Sequence, residues 1–163
     1  MDELAGARVL VVDDERDTLD VIEMLLRTHG AQTRAAGSAA EAMACLTTFR
    51  PEVLVSDLAM PGEDGLAFIR RIRALPADRG GSVPAVALSA HVYNEDRDRA
   101  LSAGFDAFVP KPVRPRALID CVRALLARAR AFVERRRGER RRGGSGENGE
   151  ERRRWQRRQL QPC

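Results

Sequence analysis

Five times within the first ~130 residues, a short run that reads as a strand gives way to a stretch with helical spacing or helix start and stop signals. The runs are residues 7–13 (ARVLVVD), 31–37 (AQTRAAG), 52–57 (EVLVSD), 83–90 (VPAVALSA) and 105–110 (FDAFVP). Runs that are apolar almost throughout, without alternation, are typical of strands covered on both faces of a parallel sheet. The second run is polar and suits a sheet edge, and Pro84 is tolerable only near the start of its strand.

The intervening stretches carry helix signals. Residues 17–30 place Leu19, Ile22, Leu25 and Leu26 on one face and stop at Gly30; residues 38–49 open with a capping box, Ser38 with Glu41 three positions on. Residues 65–75 line up Leu66, Ile69 and Ile72, and residues 94–104 have acids in the first turn and end at Gly104. Residues 116–132 predict a last helix burying Leu118, Cys121, Val122, Leu125 and Phe132. Five strand–helix pairs predict an α/β fold, a doubly wound five-stranded parallel sheet with helices on both faces. Ligands of such sheets bind outside the carboxyl ends of the strands, where strand order reverses.

That edge is where the polar residues fall. Asp13 and Asp14 end the first run, Asp57 the third, Ser89 the fourth, and Lys111 follows the fifth. Two carboxylates about 4 Å apart repel by ~4 kcal/mol at an intermediate effective dielectric, so three acids gathered there require a raised pKa or a cation. A hard ion such as Mg²⁺ suits an all-oxygen set without His or Cys. A metal held there would polarise a phosphoryl group, toward which a carboxylate can act as nucleophile while Ser89 donates a hydrogen bond. Lys111 is the one lysine among 28 basic residues. A compact ammonium on a flexible stem suits a single phosphoryl oxygen in a cramped site, whereas a guanidinium fork demands two parallel acceptors.

The blocks VLVVDDE, VLVSDLAMPGEDGL, PAVALSA and FVPKPV resemble, in order and spacing, the receiver domain of bacterial two-component response regulators. The resemblance covers residues 7 to about 130, and MPGEDGLAFIRRIRALP looks most like receivers attached to hybrid sensor histidine kinases. It implies a flavodoxin-like strand order 2-1-3-4-5, and a phosphoryl group passed to Asp57 from a histidine kinase or phosphotransfer protein. It also implies Mg²⁺ held by Asp14, by Asp13 through water, by Asp57 and by the carbonyl of Ala59. Ser89 and Lys111 would bind phosphoryl oxygens, and the Lys111–Pro112 bond would be cis. Phe108 stands where the family has an aromatic switch, here without the hydroxyl of a tyrosine. Ala59 and His91 flank the pocket where the family tunes phosphoryl lifetime, and output would pass through the fourth helix, fifth strand and fifth helix.

The resemblance describes a phosphorylated switch rather than an enzyme, in the form of a single-domain response regulator. A relay or sink receiver derived from a hybrid kinase is the near alternative. An Asp-nucleophile phosphatase is disfavoured because its DxD spacing is missing. From Glu134 onward there are 11 Arg against 5 Glu, so residues 134–163 read as an Arg-rich, low-complexity tail outside a 1–133 receiver. Such composition predicts disorder. A solvated tail is favoured over one that binds nucleic acid, since no recognised DNA-reading motif accompanies Trp155 and the arginines. Cys45, Cys121 and Cys163 are read as free thiols and His29 as a helix-end residue. No apolar run approaches the ~20 residues of a membrane span, and a cytosolic location without membrane partners is expected.

Overall fold

The computed structural model describes residues 2–91 and 93–141. Its five strands are β1 (Arg8–Val12), β2 (Gln32–Ala36), β3 (Val53–Asp57), β4 (Ala85–Ser89) and β5 (Ala107–Pro110). The helices are α1 (Arg16–Thr28), α2 (Ala39–Thr48), α3 (Gly65–Arg73), α4 (Asn94–Ala103) and α5 (Pro115–Arg141), with one 3₁₀ turn at Ala77–Arg79. All strands pair in parallel in the order β2-β1-β3-β4-β5. The reversal of winding falls between β1 and β3, as the run pattern and the resemblance together predict.

The period of two along each strand divides the core. Val9, Val11, Val53, Val55, Val86 and Leu88 face α1 and α5, while Leu10, Val12, Leu54, Ala85 and Ala87 face α2, α3 and α4. Every residue of β3 and β4 is buried, whereas β2, at the edge, is largely exposed or half-buried. Pro84 lies just ahead of β4, where no ladder hydrogen bond is lost. Ser38 caps α2 as predicted, its Oγ accepting from the Glu41 N–H at 3.2 Å, but the Glu41 carboxylate reaches one residue past the cap, to the Gly37 N–H at 2.6 Å, rather than closing the box on Ser38.

Two helices depart from the sequence pattern. In α3 the fully buried residues are Phe68, Ile69 and Ile72, and Leu66 is only half-buried. The inner face is therefore rotated toward Phe68, whose larger ring removes more apolar area from water. In α5 the buried set is Leu118, Ile119, Cys121, Val122, Leu125 and Leu126. Phe132 is 42% exposed, not buried, because the helix has run past the sheet by that point. The helix also continues to Arg141, eight residues beyond the expected receiver boundary at 133, so the first part of the expected tail is helical. Residues 142–163, with Trp155 and Cys163, lie outside the described residues.

At the amino-terminal end of the sheet, Arg73 fastens α3 to the last two strands. Its guanidinium donates to the carbonyls of Gly104 at 2.9 Å and Gly81 at 3.1 Å, and to the Asp106 carboxylate at 3.1 Å. Asp106 in turn accepts the Ala85 N–H at 2.8 Å, where β4 begins. Burial pushes the Asp106 carboxyl above its usual range, against the opposing charge of Arg73.

Phe68→Ala is expected to lower unfolding free energy by ~3–5 kcal/mol, from lost transfer energy plus the cavity left behind. Urea denaturation measures it, and a loss below ~1 kcal/mol would show that the α3 face is not anchored by this ring.

Candidate functional site

The strand registers build the site before any side chain is considered. Val12 pairs with Ser56, so Asp13 and Asp57 leave adjacent strands at one level. Asp57 pairs with Leu88 and Ser89 with Pro110, which brings Ser89 and Lys111 to the same edge. The Lys111 N–H donates to the Ser89 carbonyl at 2.7 Å, closing the rim between β4 and β5. The Lys111–Pro112 peptide is cis.

Three acidic side chains and the lysine lie together at this edge. Carboxylate oxygens of Asp13, Asp14 and Asp57 can all lie within 4.8 Å of one another. Lys111 Nζ lies 2.9 Å from Asp13 Oδ2 and 3.3 Å from Asp57 Oδ1. Asp13 is 0% exposed and Asp57 and Ser89 each 4%, whereas Asp14 is open to solvent. Two acids are thus sealed in with one ammonium, and the third guards the entrance.

Backbone donors hold these groups in place. The Glu15 N–H donates to Asp13 Oδ1 at 2.9 Å, the Ala59 N–H approaches Asp57 Oδ1 at 3.4 Å, and the His91 N–H donates to Ser89 Oγ at 3.1 Å. Ser89 accepts in that last bond, which leaves its hydroxyl proton to donate. Ala59 and His91 are both exposed at the rim. Phe108 is half-buried, packed against the cluster under α2, α3 and α4. His29 caps the end of α1, its Nδ1 at 2.9 Å from the Leu25 carbonyl, away from the site.

One positioning residue escaped the sequence reading. A Cβ on Gly65 would fall 2.4 Å from the Asp57 carbonyl oxygen and 2.7 Å from Leu58 Cα. Only glycine lets α3 start so close beneath the loop that follows Asp57. The signal was the second glycine of PGEDG, which reads as ordinary turn chemistry until the approach is seen.

Electrostatics follow from this packing. Burial pushes the Asp57 carboxyl above its usual range; the Lys111 charge pulls it back and the Asp13 charge pushes it further. Burial alone would lower the Lys111 ammonium, but the hydrogen bond to Asp13 and the charges of Asp57 and Asp13 override it and hold the lysine above its usual value. With the carboxylates ionised, three acids and one ammonium sum to −2. The all-oxygen donor set and that residual charge fit a hard divalent cation.

Comparison with known proteins agrees. The model of the response regulator receiver domain matches residues 9–123. The chain belongs to this family. This receiver is 44% identical over 122 residues to an uncharacterized 14.6 kDa protein of Leptolyngbya boryana, an alignment covering 75% of this chain and 92% of that one. It is 40% identical over 125 residues to the transcriptional regulatory protein PrrA of Mycobacterium tuberculosis, covering 77% of this chain but only 52% of PrrA. The receiver thus spans about half the length of that regulator. Among solved structures, a putative response regulator from Chloroflexus aurantiacus aligns with a TM-score of 0.70 at 29% identity, over 75% of this chain and 98% of that one. The signal receiver domain of a signal transduction histidine kinase from Syntrophus aciditrophicus aligns with a TM-score of 0.67 at 30% identity, over 75% and 91%. These relatives place the receiver in two-component signalling.

The raised Asp57 value carries a sign for stability. A carboxyl whose folded value exceeds its unfolded one holds its proton better when folded, so stability falls as pH rises through that interval, starting near the ordinary value of 3.8. Above it, ionised Asp57 opposes folding. In EDTA, Asp57→Asn is expected to melt at a higher temperature than the natural chain at neutral pH, with the gain shrinking as pH falls into the ordinary carboxylate range. Thermal melts across pH test this, and an equal or lower melting temperature at neutral pH would contradict it.

Proposed function

We propose that this receiver takes a phosphoryl group onto Asp57 from the phosphohistidine of a histidine kinase or phosphotransfer protein, and thereby changes its affinity for a partner protein. One observation carries the reading: the Asp57 carboxylate is held 3.3 Å from the sole lysine and within reach of two further acids at the carboxyl edge of the sheet. An Asp57 oxygen would attack phosphorus, the P–N bond would break, and the imidazole would leave with the bonding electrons. Asp14, Asp13, Asp57 and the Ala59 carbonyl would hold Mg²⁺, whose chemistry when bound is to neutralise and polarise phosphoryl oxygens. Lys111 is already beside Asp57 and needs only to exchange carboxylate for phosphoryl oxygens. Ser89 has a hydroxyl proton to give.

The chain itself is the substrate, so it acts once per phosphoryl group and is a switch rather than a turnover enzyme. The added group brings about −1.5 to −2 charge and strong acceptors. Movement of Ser89 toward it would vacate space beside Phe108, whose half-buried ring can turn inward and remodel the α4–β5–α5 surface. Phenylalanine transmits this by packing alone, having no hydroxyl to bond. The partner presented with that surface is a protein, and the setting is the cytoplasm.

Incubation with a small phosphodonor and Mg²⁺ is expected to label the natural chain and leave Asp57→Ala unlabelled. Equal incorporation would defeat the assignment. Rapid onward transfer to a phosphotransfer histidine, with no change in partner affinity, would assign the relay role instead.

A further inference from the structure

Helix α5 has two halves with different chemistry. Through Leu126 it packs on the sheet; from Arg130 to Arg141 every residue is exposed. At 1.5 Å per residue the exposed part projects by ~18 Å. It carries six arginines against two glutamates, a net of +4.

Arrangement matters more than the sum. The stripe that is buried as Leu118, Val122 and Leu125 continues, at helical spacing, through Phe132, Arg136 and Arg140, with Val133 and Arg137 beside it. Where the inner face leaves the sheet, positions that had been apolar become cationic. Arg136 lies over the Phe132 ring, 4.9 Å from its centroid, an attraction that orders the guanidinium. Arg130 is tied back to Glu52 at 3.4 Å. Among the described residues no ion pair engages Arg136, Arg137, Arg140 or Arg141.

We propose that this projecting segment, residues 130–141, docks on the phosphate backbone of duplex DNA, independently of the phosphoryl site. Its occupant must be anionic and extended, since the cations run along the helix rather than around a pocket. A second copy of the chain is excluded by charge, because pairing the same face would set arginine against arginine. A lipid surface requires an apolar face to insert, and this face offers only Phe132 and Val133 before the arginines take over. Phosphate suits guanidinium through paired, charge-assisted hydrogen bonds. The rod shape selects duplex DNA over duplex RNA: a B-form major groove is ~12 Å wide and admits a helix, whereas the A-form major groove is too narrow. The segment has no Asn or Gln to read adenine, so the binding is largely independent of sequence.

The test is fluorescence anisotropy of a short labelled duplex of mixed sequence with the full chain. The comparison variant is R136A/R137A/R140A/R141A, which leaves the phosphoryl site untouched. Four phosphate contacts give a log–log salt slope near −3.6, so the natural chain should lose at least ~100-fold in affinity between 50 and 200 mM salt. The variant's slope should be shallower by about 3 to 4, and a fourfold Arg→Lys variant should restore most of it. Unchanged binding by the alanine variant overturns the proposal. So does tighter binding to phosphatidylserine vesicles or to duplex RNA than to duplex DNA, or no binding to the duplex at 50 mM salt. A thermal melt matching the natural chain shows the alanine variant folded; should it melt early, the helix-favouring fourfold Arg→Gln variant decides, a salt slope shallower by about 3 to 4 counting for and an unchanged slope counting against.

Discussion

The ammonium of Lys111, lodged between Asp13 and Asp57, is the interaction on which the site depends. Without it, two buried carboxylates on neighbouring strands would face each other with no counter-charge but an open entrance. Removing the ammonium from such a buried set leaves the carboxylates uncompensated, which costs far more than the intact set contributes. The fold supplies the positions at little expense: parallel register sets Asp13 and Asp57 side by side, and β4 and β5 deliver Ser89 and the lysine. Asp14 is left outside, exposed, and completes the oxygen cluster from the solvent side.

Rigid support lies at the other end of the sheet. Arg73 and Asp106 lock α3 and the starts of β4 and β5 together, while at the carboxyl ends the two strands stay paired through Ser89 and Pro110. The charged carboxylates and the ammonium sit at one edge of the sheet, and the Arg73–Asp106 brace at the other.

Much of this was legible in the sequence, and the failures have physical causes. Buried parallel strands announce themselves as apolar runs, and the register that unites their ends follows from the fold, so Asp13, Asp57, Ser89 and Lys111 could be grouped without coordinates. Periodicity was weaker on α3, where Leu66 and Phe68 both fit an apolar stripe and only packing chooses between them. On α5 the stripe runs through Phe132, but a one-dimensional pattern does not say where the sheet stops. Arginine and glutamate are good helix formers, which carries α5 to Arg141 through a composition that otherwise reads as disordered. The Arg73–Asp106 pair spans 33 positions of sequence and the Gly65 approach is a matter of ångströms; neither leaves a local trace.

The sole lysine makes the central claim directly measurable. With isotope-labelled lysine, the chain gives one side-chain ammonium signal by NMR, that of Lys111, free of overlap. In EDTA its titration should fall above the ordinary lysine value of 10.5 in the natural chain and move down in Asp13→Asn, where the shortest contact is lost. An ordinary value, the same in both proteins, would show that the ammonium is not held between the two acids.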